Sequence, residues 1–322
     1  MRSETLESQI IGEATIEKLP ENILVEIMRH LSMKDRCRAA RVCKQWNNIS
    51  SNDSLWRHVD LLEFPISLQT LWRLVSTRFS RRMSTLKIRG YYHIVGSNKG
   101  KRSLSDAVLK RIAARCPNLQ VLHLEDYDTK KISFDSLPKS IVCLEMVECT
   151  LKSRLMTHKL KHLPKLEHLK LDICDWFSDS VMIDISAWRN LKHLFIGGSG
   201  FQPTNSGVIT IANNLCELEY LYICFTIIDD YAVYHITQNL KKLKELCLVH
   251  CRMVTDNSVV KIATGLPLLN KLDMSHSCLV TMKGLKTLFG RNIRELIVVG
   301  LTDLSQKEKQ ALRRRFAVTR FR

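Results

Sequence analysis

Residues 166–171 read LEHLKL, and residues 191–196 and 218–223 read LKHLFI and LEYLYI. All three stretches follow the pattern L-x-x-L-x-L, in which L stands for Leu or a similar apolar residue. The last two apolar residues are separated by one other residue. Because side chains alternate along a β-strand, these two residues lie on the same side of a short strand. One such strand cannot bury that side alone, so the pattern predicts that several strands stack together.

The same pattern runs through most of the chain. Its nine copies are MSTLKI at 83–88, LQVLHL at 119–124, IVCLEM at 141–146, LEHLKL at 166–171, LKHLFI at 191–196, LEYLYI at 218–223, LKELCL at 243–248, LNKLDM at 269–274 and IRELIV at 293–298. Most copies start about 25 residues after the previous one, which is typical of leucine-rich repeats. The longer first gap contains GSNKGKRS at 96–103, which we interpret as a flexible surface loop.

Helical segments separate the predicted strands. SDAVLKRIAARC at 105–116 and TDNSVVKIATGL at 255–266 both open with a hydroxyl residue followed by Asp, which suits a helix start. The repeats therefore predict an α/β solenoid shaped like a horseshoe. Parallel strands form its concave side and helices form its convex side.

The cysteines fit this interpretation. The chain has 11 cysteines and no CxxC pair, which favours a reducing, intracellular location (cytoplasm, nucleus or both) over a disulfide framework. Cys149, Cys174 and Cys251 follow the last apolar position of a repeat, where the chain turns away from the sheet. Cys247 is predicted to face the concave side, apart from Cys251, so we expect no metal and no other cofactor.

The segment before the repeats has a different pattern. Residues 19–31 read LPENILVEIMRHL, a predicted helix whose apolar residues cover more than one face. A second helix is predicted to start near Asp35, carrying Cys37, Ala40, Val42, Cys43 and Trp46, and a third to end at Leu55–Trp56. A unit of this size is marginally stable alone. It should therefore pack on the repeats, on a partner, or on both.

Three strings in this segment, LPENILVEIMRHL, VCKQWNNI at 42–49 and LWR at 55–57, together resemble an F-box. An F-box followed by leucine-rich repeats is the arrangement of the F-box/leucine-rich-repeat protein family. The resemblance implies a small all-α N-terminal F-box domain that docks on the Skp adaptor of a Skp–cullin–F-box (SCF) ubiquitin ligase, which also contains a cullin scaffold and a RING subunit. The repeats would then hold a substrate protein for polyubiquitination and proteasomal degradation.

The resemblance also assigns residues and domains. The implied adaptor-binding residues are Leu19, Pro20, Ile23, Leu24, Ile27, Leu31, Val42, Trp46, Leu55 and Trp56. The alternative is that the tryptophans only fill the core of the small domain. We divide the chain into a tail at 1–15, the F-box domain at 16–62, a linker helix at 63–82, about nine repeats at 83–305, and a basic C-terminal cap or tail at 306–322.

The net charge of +17 is concentrated in two regions. Residues 65–105 contain nine basic residues and no acidic one, and residues 306–322 contain seven basic residues and one acidic residue. The first region includes LQTLWRLVSTRFSRRM at 68–83, a predicted helix that is apolar through Leu71, Leu74, Val75 and Phe79. Its Arg-rich face is either simply solvated or steers an acidic substrate or a ubiquitin-chain component by long-range attraction.

The predicted concave positions differ in charge from the rest of the chain. They carry four bases, Lys87, Arg89, Lys170 and Lys271, against six acids, Glu125, Glu145, Asp172, Glu245, Asp273 and Glu295. This surface is therefore not a phosphate-binding groove. Its centre holds the candidate substrate-binding residues His168, Lys170, His193, Phe195, Tyr220 and Tyr222. Their rings either anchor a protein partner or only cover one another across the strands.

Motifs for catalysis are lacking, since the sequence has no GxxxxGK[ST], HExxH or GxSxG. We therefore expect a non-catalytic substrate receptor. The alternative is a binding module that works without a ligase, either a protein scaffold or a nucleic-acid binder. No nucleic-acid partner is expected because no reading motif accompanies the charge. No membrane partner is expected either, because no apolar run approaches the roughly 18–20 residues of a membrane span.

Overall fold

A computed structural model describes residues 16, 19–91, 104–130, 132–151, 162–174, 178–198, 203–301 and 304–321. Its central feature is a parallel sheet of 11 strands, in which each strand pairs with its neighbours in sequence. The strands are β1 (His58–Leu61), β2 (Thr85–Arg89), β3 (Val121–Glu125), β4 (Cys143–Val147), β5 (His168–Asp172), β6 (His193–Gly197), β7 (Tyr220–Ile223), β8 (Glu245–Cys247), β9 (Lys271–Asp273), β10 (Glu295–Ile297) and β11 (Val318–Arg320). The predicted tail at 1–15 and loop at 96–103 lie outside the described residues.

The nine L-x-x-L-x-L copies form β2 to β10, which confirms the predicted repeats. On β5, Leu169 and Leu171 are buried while the residues between and beside them are half-buried on the other face. Leu169 pairs in register with Leu144 on β4 and Leu194 on β6. The leucines thus form columns that run along the whole sheet and build one core.

Helices lie behind the sheet and at both ends of it. They are α1 (Glu21–Arg29), α2 (Met33–Ala39), α3 (Lys44–Ser50), α4 (Leu68–Thr77), α5 (Asp106–Arg115), α6 (Asp179–Ile185), α7 (Asn205–Asn214), α8 (Asp230–Asn239), α9 (Asp256–Gly265), α10 (Met282–Lys286) and α11 (Gln306–Arg315). Helices α5 and α9 begin where the sequence predicts. The Ser105 and Thr255 hydroxyls cap them by accepting hydrogen bonds from Val108 and Asn257 backbone N–H groups.

The Asp that opens a convex helix also connects it to the next repeat. Its carboxylate accepts hydrogen bonds from the backbone N–H and the hydroxyl of the Thr that caps the following helix. The pairs are Asp179 with Thr204, Asp230 with Thr255, and Asp256 with Thr281. In each pair, the bond from the Thr N–H satisfies a backbone donor at a helix start that would otherwise lack a partner. The helices therefore stack in a fixed register.

The turn cysteines lie where the sequence predicts. Cys149, Cys174 and Cys251 are buried, and each Sγ lies within 3.5 Å of a carbonyl oxygen on the strand of the previous repeat, that of Leu124, Met146 and Ile223 respectively. The residue before each of them has a positive φ, between 50° and 58°. The chain thus leaves the sheet through a left-handed residue followed by a small, weakly donating side chain.

The N-terminal unit differs from the prediction in its second helix. Ser32, not Asp35, caps α2, because its hydroxyl accepts the Asp35 N–H at 3.1 Å. Helix α2 ends at Ala39, and Cys43 adopts an extended conformation and caps a separate helix, α3. Residues 41–43 therefore form a turn. The prediction of one helix carrying both Cys37 and Trp46 is wrong.

The linker helix is also shorter than predicted. Helix α4 ends at Thr77, because the Phe79 N–H bonds back to the Leu74 carbonyl and the chain then turns toward β2. Phe79 and Met83 are fully buried beyond the helix end. The apolar face is nevertheless as predicted, since Leu71 and Val75 are also fully buried.

Both ends of the sheet contain strands that the repeat pattern does not predict. Strand β1 lies inside the segment 16–62 and pairs with residues 85–88 of β2. At the other end, residues 304–321 fold as α11 followed by β11, which pairs with β10. The described part of the C-terminal segment is therefore a cap, not a tail. The sheet joins the N-terminal helices and the repeats into one core.

We expect Asp230→Asn to lower the free energy of unfolding at pH 7 by about 1–3 kcal/mol, the usual value of hydrogen bonds to a charged group. Burial alone would raise the pKa of Asp230, but the hydrogen bonds from Ser258 and Thr255 outweigh it and lower the pKa. The carboxylate therefore stabilises the fold above its unfolded pKa of about 3.9, and this contribution is lost as the pH falls through the lower folded value.

Urea unfolding at several pH values measures this effect. Glu217→Gln is the control, because Glu217 forms an exposed ion pair with Lys242 that should contribute little. Equal losses in the two variants, or a loss in Asp230→Asn that does not shrink as the pH is lowered below the unfolded pKa, would contradict the assigned role of the Asp230 carboxylate.

Candidate functional site

Helix α1 has two apolar faces with different surroundings. Leu24, Val25 and Met28 are buried against the chain's own core. On the opposite side, Ile23 and Ile27 are 43% and 39% exposed. Pro20 is exposed at the start of the helix, where its missing N–H removes no hydrogen bond. We call Pro20, Ile23 and Ile27 the α1 surface.

The other predicted adaptor-binding residues divide into two groups. Val42 is exposed in the turn between α2 and α3, and Leu19, Leu31 and Trp46 are half-buried around the core. In contrast, the side chains of Leu24, Leu55 and Trp56 are at most 3% exposed. In this structure these three residues support the α1 surface from inside and do not form part of it.

Trp56 shows why such a side chain is buried. Its indole N–H donates to the Ser50 carbonyl at 2.7 Å, and the Arg78 guanidinium lies 5.8 Å from the ring centroid. An indole whose one polar atom is satisfied can be buried without penalty. Trp56 therefore fills the core of the small domain, which is the alternative given above for the tryptophans.

Arg36 is an important residue that sequence reasoning missed. It is only 6% exposed, and its guanidinium donates to the carbonyl oxygens of Met28 and Leu31 at the end of α1 and of Leu55. Carbonyls at a helix end lack helical partners and attract a cation. Burial lowers the pKa of Arg36. The one available signal was a basic residue soon after the end of a predicted helix.

A basic cleft separates the N-terminal helices from α4. It has a volume of about 500 Å³ and contains the arginines Arg36, Arg41, Arg73 and Arg78. No carboxylate is among the described residues that line it. Part of the positive charge of residues 65–105 is therefore directed at the N-terminal domain. Arg78 is held there by Asn47 Oδ1 at 2.9 Å and by the Ser51 hydroxyl.

The six candidate substrate-binding residues come together on the concave face. The register of β5, β6 and β7 aligns His168, His193 and Tyr220 in one row. Their ring centroids are 4.0 Å apart at each step, with interplanar angles of 19° and 10°. The rings stack because neighbouring parallel strands are only about 4.8 Å apart.

A second row lies two residues further along the same strands. Lys170 Nζ is 5.0 Å from the Phe195 ring centroid, and the Phe195 and Tyr222 centroids are 5.7 Å apart. The absence of a side chain at Gly197 makes room for Phe195, because a Cβ there would lie 2.8 Å from its ring. We call His168, His193, Tyr220, Phe195 and Tyr222 the concave aromatic patch. Its rings cover one another, yet each stays half-exposed.

The imidazoles of the patch are neutral near pH 7. Burial lowers the pKa of His168, and burial together with the adjacent His168 lowers that of His193. Burial and the hydrogen bond from its hydroxyl to Glu245 raise the pKa of Tyr222. The patch is thus an uncharged aromatic surface at physiological pH.

Ion pairs neutralise most of the charge on either side of the patch. Toward β1 the pairs are Lys87–Asp60 at 3.8 Å, Arg89–Glu125 at 3.3 Å and Lys170–Asp172 at 3.2 Å. Glu145 lies in hydrogen-bond contact with His123 Nδ1 at 2.7 Å. Toward β10, Lys271 lies 3.6 Å from Glu245 and 3.5 Å from Glu295. The concave face is therefore not basic, as the sequence predicts.

Comparison with known proteins decides the family. Residues 16–62 match the F-box-like family. The chain is 30% identical to F-box/LRR-repeat protein 12 of Homo sapiens over 239 residues, which are 73% of this chain and 72% of that protein. It is 28% identical to the protein of the same name in Mus musculus over 263 residues, 80% of this chain and 78% of that protein. The chain belongs to the F-box/LRR-repeat family.

Solved structures share the fold of this F-box/LRR-repeat protein. Rad7 in its complex with Elc1 from yeast matches with a TM-score of 0.53 at 16% identity, over 92% of this chain and 84% of that one. An internalin of Listeria monocytogenes matches with a TM-score of 0.51 at 14% identity, over 77% and 69%. At these identities the likeness shows the fold alone.

Within the described parts of this F-box/LRR-repeat protein, no three His, Cys, Asp or Glu side chains are placed to hold a metal ion together. None of the described helices is long and apolar enough to cross a membrane.

We expect His168→Gln to raise the pKa of His193 toward its ordinary value, because the variant removes both a neighbouring imidazole and part of the burial. NMR titration of the imidazole protons measures this pKa. In the wild type the folded state favours the neutral rings. The free energy of unfolding should therefore decrease as the pH falls below about 6.5 and level off below the folded pKa. An unchanged His193 pKa would contradict the stacked geometry.

Proposed function

We propose that the chain is the substrate-recognition subunit of an SCF-type ubiquitin ligase. The α1 surface carries this proposal, because it places exposed isoleucines on the outer face of a helix that lies within the F-box-like match. A Skp-family adaptor covers this surface. Through the adaptor, the chain joins the cullin scaffold and the RING subunit in the reducing interior of the cell.

The energetics favour a partner on the α1 surface. A fully buried isoleucine stabilises a complex by roughly 1.5–3 kcal/mol relative to an exposed one. Ile23 and Ile27 are each only partly exposed, so each contributes a fraction of that value. Ile23 itself lines a groove of about 650 Å³, together with the apolar Val25 and the charged Glu21, Glu26 and Arg29. An apolar centre with a polar rim is the usual composition of an interface.

The repeats supply the substrate surface in this proposal. The concave aromatic patch contains Tyr and Phe side chains, which are frequent binding anchors because they bury much area with few rotatable bonds. In this proposal the chain acts as a non-catalytic receptor. It holds the substrate for polyubiquitination by the other subunits, and proteasomal degradation follows. The yeast neighbour of the same fold, Rad7, was solved bound to another protein, Elc1.

One observation favours a different function. The net charge of +17 and the basic cleft would suit a nucleic-acid binder. A concave groove lined by ion pairs and neutral rings does not suit a phosphate backbone, so this function ranks second. A protein scaffold that works without a ligase would share the concave aromatic patch and would not need the α1 surface.

We expect a stable one-to-one complex when the chain is co-expressed with a Skp-family adaptor. Combining Ile23→Asp with Ile27→Asp should weaken adaptor binding by at least about a hundredfold, because two carboxylates would lose water in an apolar contact. Co-purification followed by calorimetry measures both results.

Ile183→Asp is the matched control, since Ile183 is 57% exposed on the convex helix α6. It should bind the adaptor like the wild type. No complex with the wild-type chain would refute the ligase proposal. A complex that survives the double substitution would show that the adaptor binds elsewhere.

We expect binding to duplex DNA or RNA to be no tighter than about 1 µM at physiological salt, and to fall steeply with added salt, as nonspecific phosphate contacts do. Fluorescence anisotropy at several salt concentrations measures this. Submicromolar binding at physiological salt would favour the nucleic-acid function over the ligase proposal.

A further inference from the structure

The two halves of the concave face differ in charge. From β1 to β6, three of the four acids described above, Asp60, Glu125 and Asp172, each have a Lys or Arg partner, and Glu145 is in hydrogen-bond contact with His123. From β8 to β10 the acids Glu245, Asp273 and Glu295 face a single cation, Lys271, which is shared between two of them. The described residues give Asp273 no ion pair. Its carboxylate accepts hydrogen bonds only from the backbone N–H and hydroxyl of Ser275.

This negative excess lies next to the concave aromatic patch. Tyr220 pairs in register with Glu245, and Tyr222 pairs with Cys247, which in turn pairs with Asp273. Tyr222 and Asp273 thus occupy the same register position two strands apart, which places their backbones about 10 Å from each other. Cys247 between them is short. A long side chain lying across Cys247 would contact the ring at one end and the carboxylate at the other.

We propose, building on the function above, that the concave face from β6 to β10 binds a substrate segment carrying Lys or Arg side chains. The aromatic rings take the apolar stem and the planar guanidinium or ammonium group, and Asp273 and Glu295 take the charge. We call Phe195, Tyr220, Tyr222, Asp273 and Glu295 the cation-binding surface.

The chemistry of this surface favours a cation over other ligands. Aromatic faces attract Lys and Arg and repel carboxylates. The imidazoles of His168 and His193 are neutral, so they add no repulsion. An acidic segment would meet three carboxylates with one shared lysine among them. Arg320, on β11, is exposed and lies two strands beyond Asp273, close to the screening length of about 8 Å at physiological salt.

A pair of labelled peptides tests the surface. One probe alternates Arg and Ser over about twelve residues, and the other alternates Glu and Ser. Both are titrated by fluorescence anisotropy into the chain–adaptor complex at physiological salt. We expect saturable binding of the Arg probe despite the net charge of +17. Combining Asp273→Asn with Glu295→Gln should weaken it about tenfold, since a lost charge pair of this kind commonly has that effect.

Matched variants separate the surface from overall charge. Glu217→Gln combined with Asp135→Asn removes the same charge at exposed positions away from the concave face and should leave binding unchanged. Tyr220→Leu should weaken the Arg probe by about two- to fivefold. Tyr231→Leu removes a 59%-exposed ring from α8 on the convex side and should have no effect.

The outcomes decide whether the concave residues bind the Arg probe. Loss of Arg-probe binding in the concave variants, with both controls unchanged, supports the cation-binding surface. No saturable binding below about 1 mM, equal losses in the control variants, or tighter Glu-probe binding that depends on the concave residues would overturn it. The same samples report adaptor binding. A complex that forms while the Arg probe fails to bind would overturn only the cation-binding surface and leave adaptor docking intact.

Discussion

Every repeat of this protein has a strand whose apolar side cannot be buried within the repeat itself. The leucine column Leu144, Leu169, Leu194, Leu221 and Leu246 is at most 2% exposed because each leucine lies between those of the adjacent repeats. Roughly 1.5–3 kcal/mol per leucine depends on those neighbours. The first and last repeats have one neighbour fewer, so both ends of the stack need a cover.

The F-box domain covers the N-terminal end of the sheet, and this contact fixes the position of the domain relative to the repeats. The domain reaches the sheet through β1 and buries Leu55 and Trp56 immediately before that strand. Arg36 then connects the end of α1 to the Leu55 carbonyl. The α1 surface is therefore attached to the sheet through buried contacts. In the proposed function, an adaptor on α1 and a ligand on the concave face would be held at a defined separation by the same core.

The C-terminal cover works differently. Helix α11 begins with a capping box between Ser305 and Glu308 and is otherwise highly polar on its outer side. Leu312 and Phe316 are buried against the last repeat, and Arg315 donates to the carbonyl oxygens of Phe289 and Arg291. The basic charge of this segment therefore has a structural role. It satisfies carbonyls at the end of a repeat that has no further repeat to pair with.

Local patterns explain which elements the sequence predicts. Strands β2 to β10 follow from the alternation of leucines, and α5 and α9 follow from capping residues, because both signals lie within a few positions of the element. The break between α2 and α3 depends on the extended backbone of Cys43, which no neighbouring Gly or Pro marks. Arg36 could not be identified because its partner Leu55 lies 19 residues away. Strands β1 and β11 lack the leucine pattern.

The same limit applies to the candidate site: local patterns predict it, and long-range contacts do not follow from the sequence. Parallel register brings His168, His193 and Tyr220 together automatically, since equivalent positions of successive repeats must be adjacent. The family motif does not separate Leu24, Leu55 and Trp56 from the exposed positions, because it contains buried and exposed positions without distinguishing them. Burial against distant residues decides that distinction, and only the folded chain shows it.

Charge is the property for which the sequence total is most misleading. A net charge of +17 describes the whole chain, but a ligand within the horseshoe interacts mainly with charges inside a screening length of about 8 Å. At that range the basic cleft and the C-terminal helix are remote. What remains near β8 to β10 is one lysine against three carboxylates beside neutral rings, with Arg320 two strands from Asp273. A strongly basic protein can therefore present an acidic, aromatic concave face, because most of its excess positive charge lies in residues 65–105 and in the C-terminal segment.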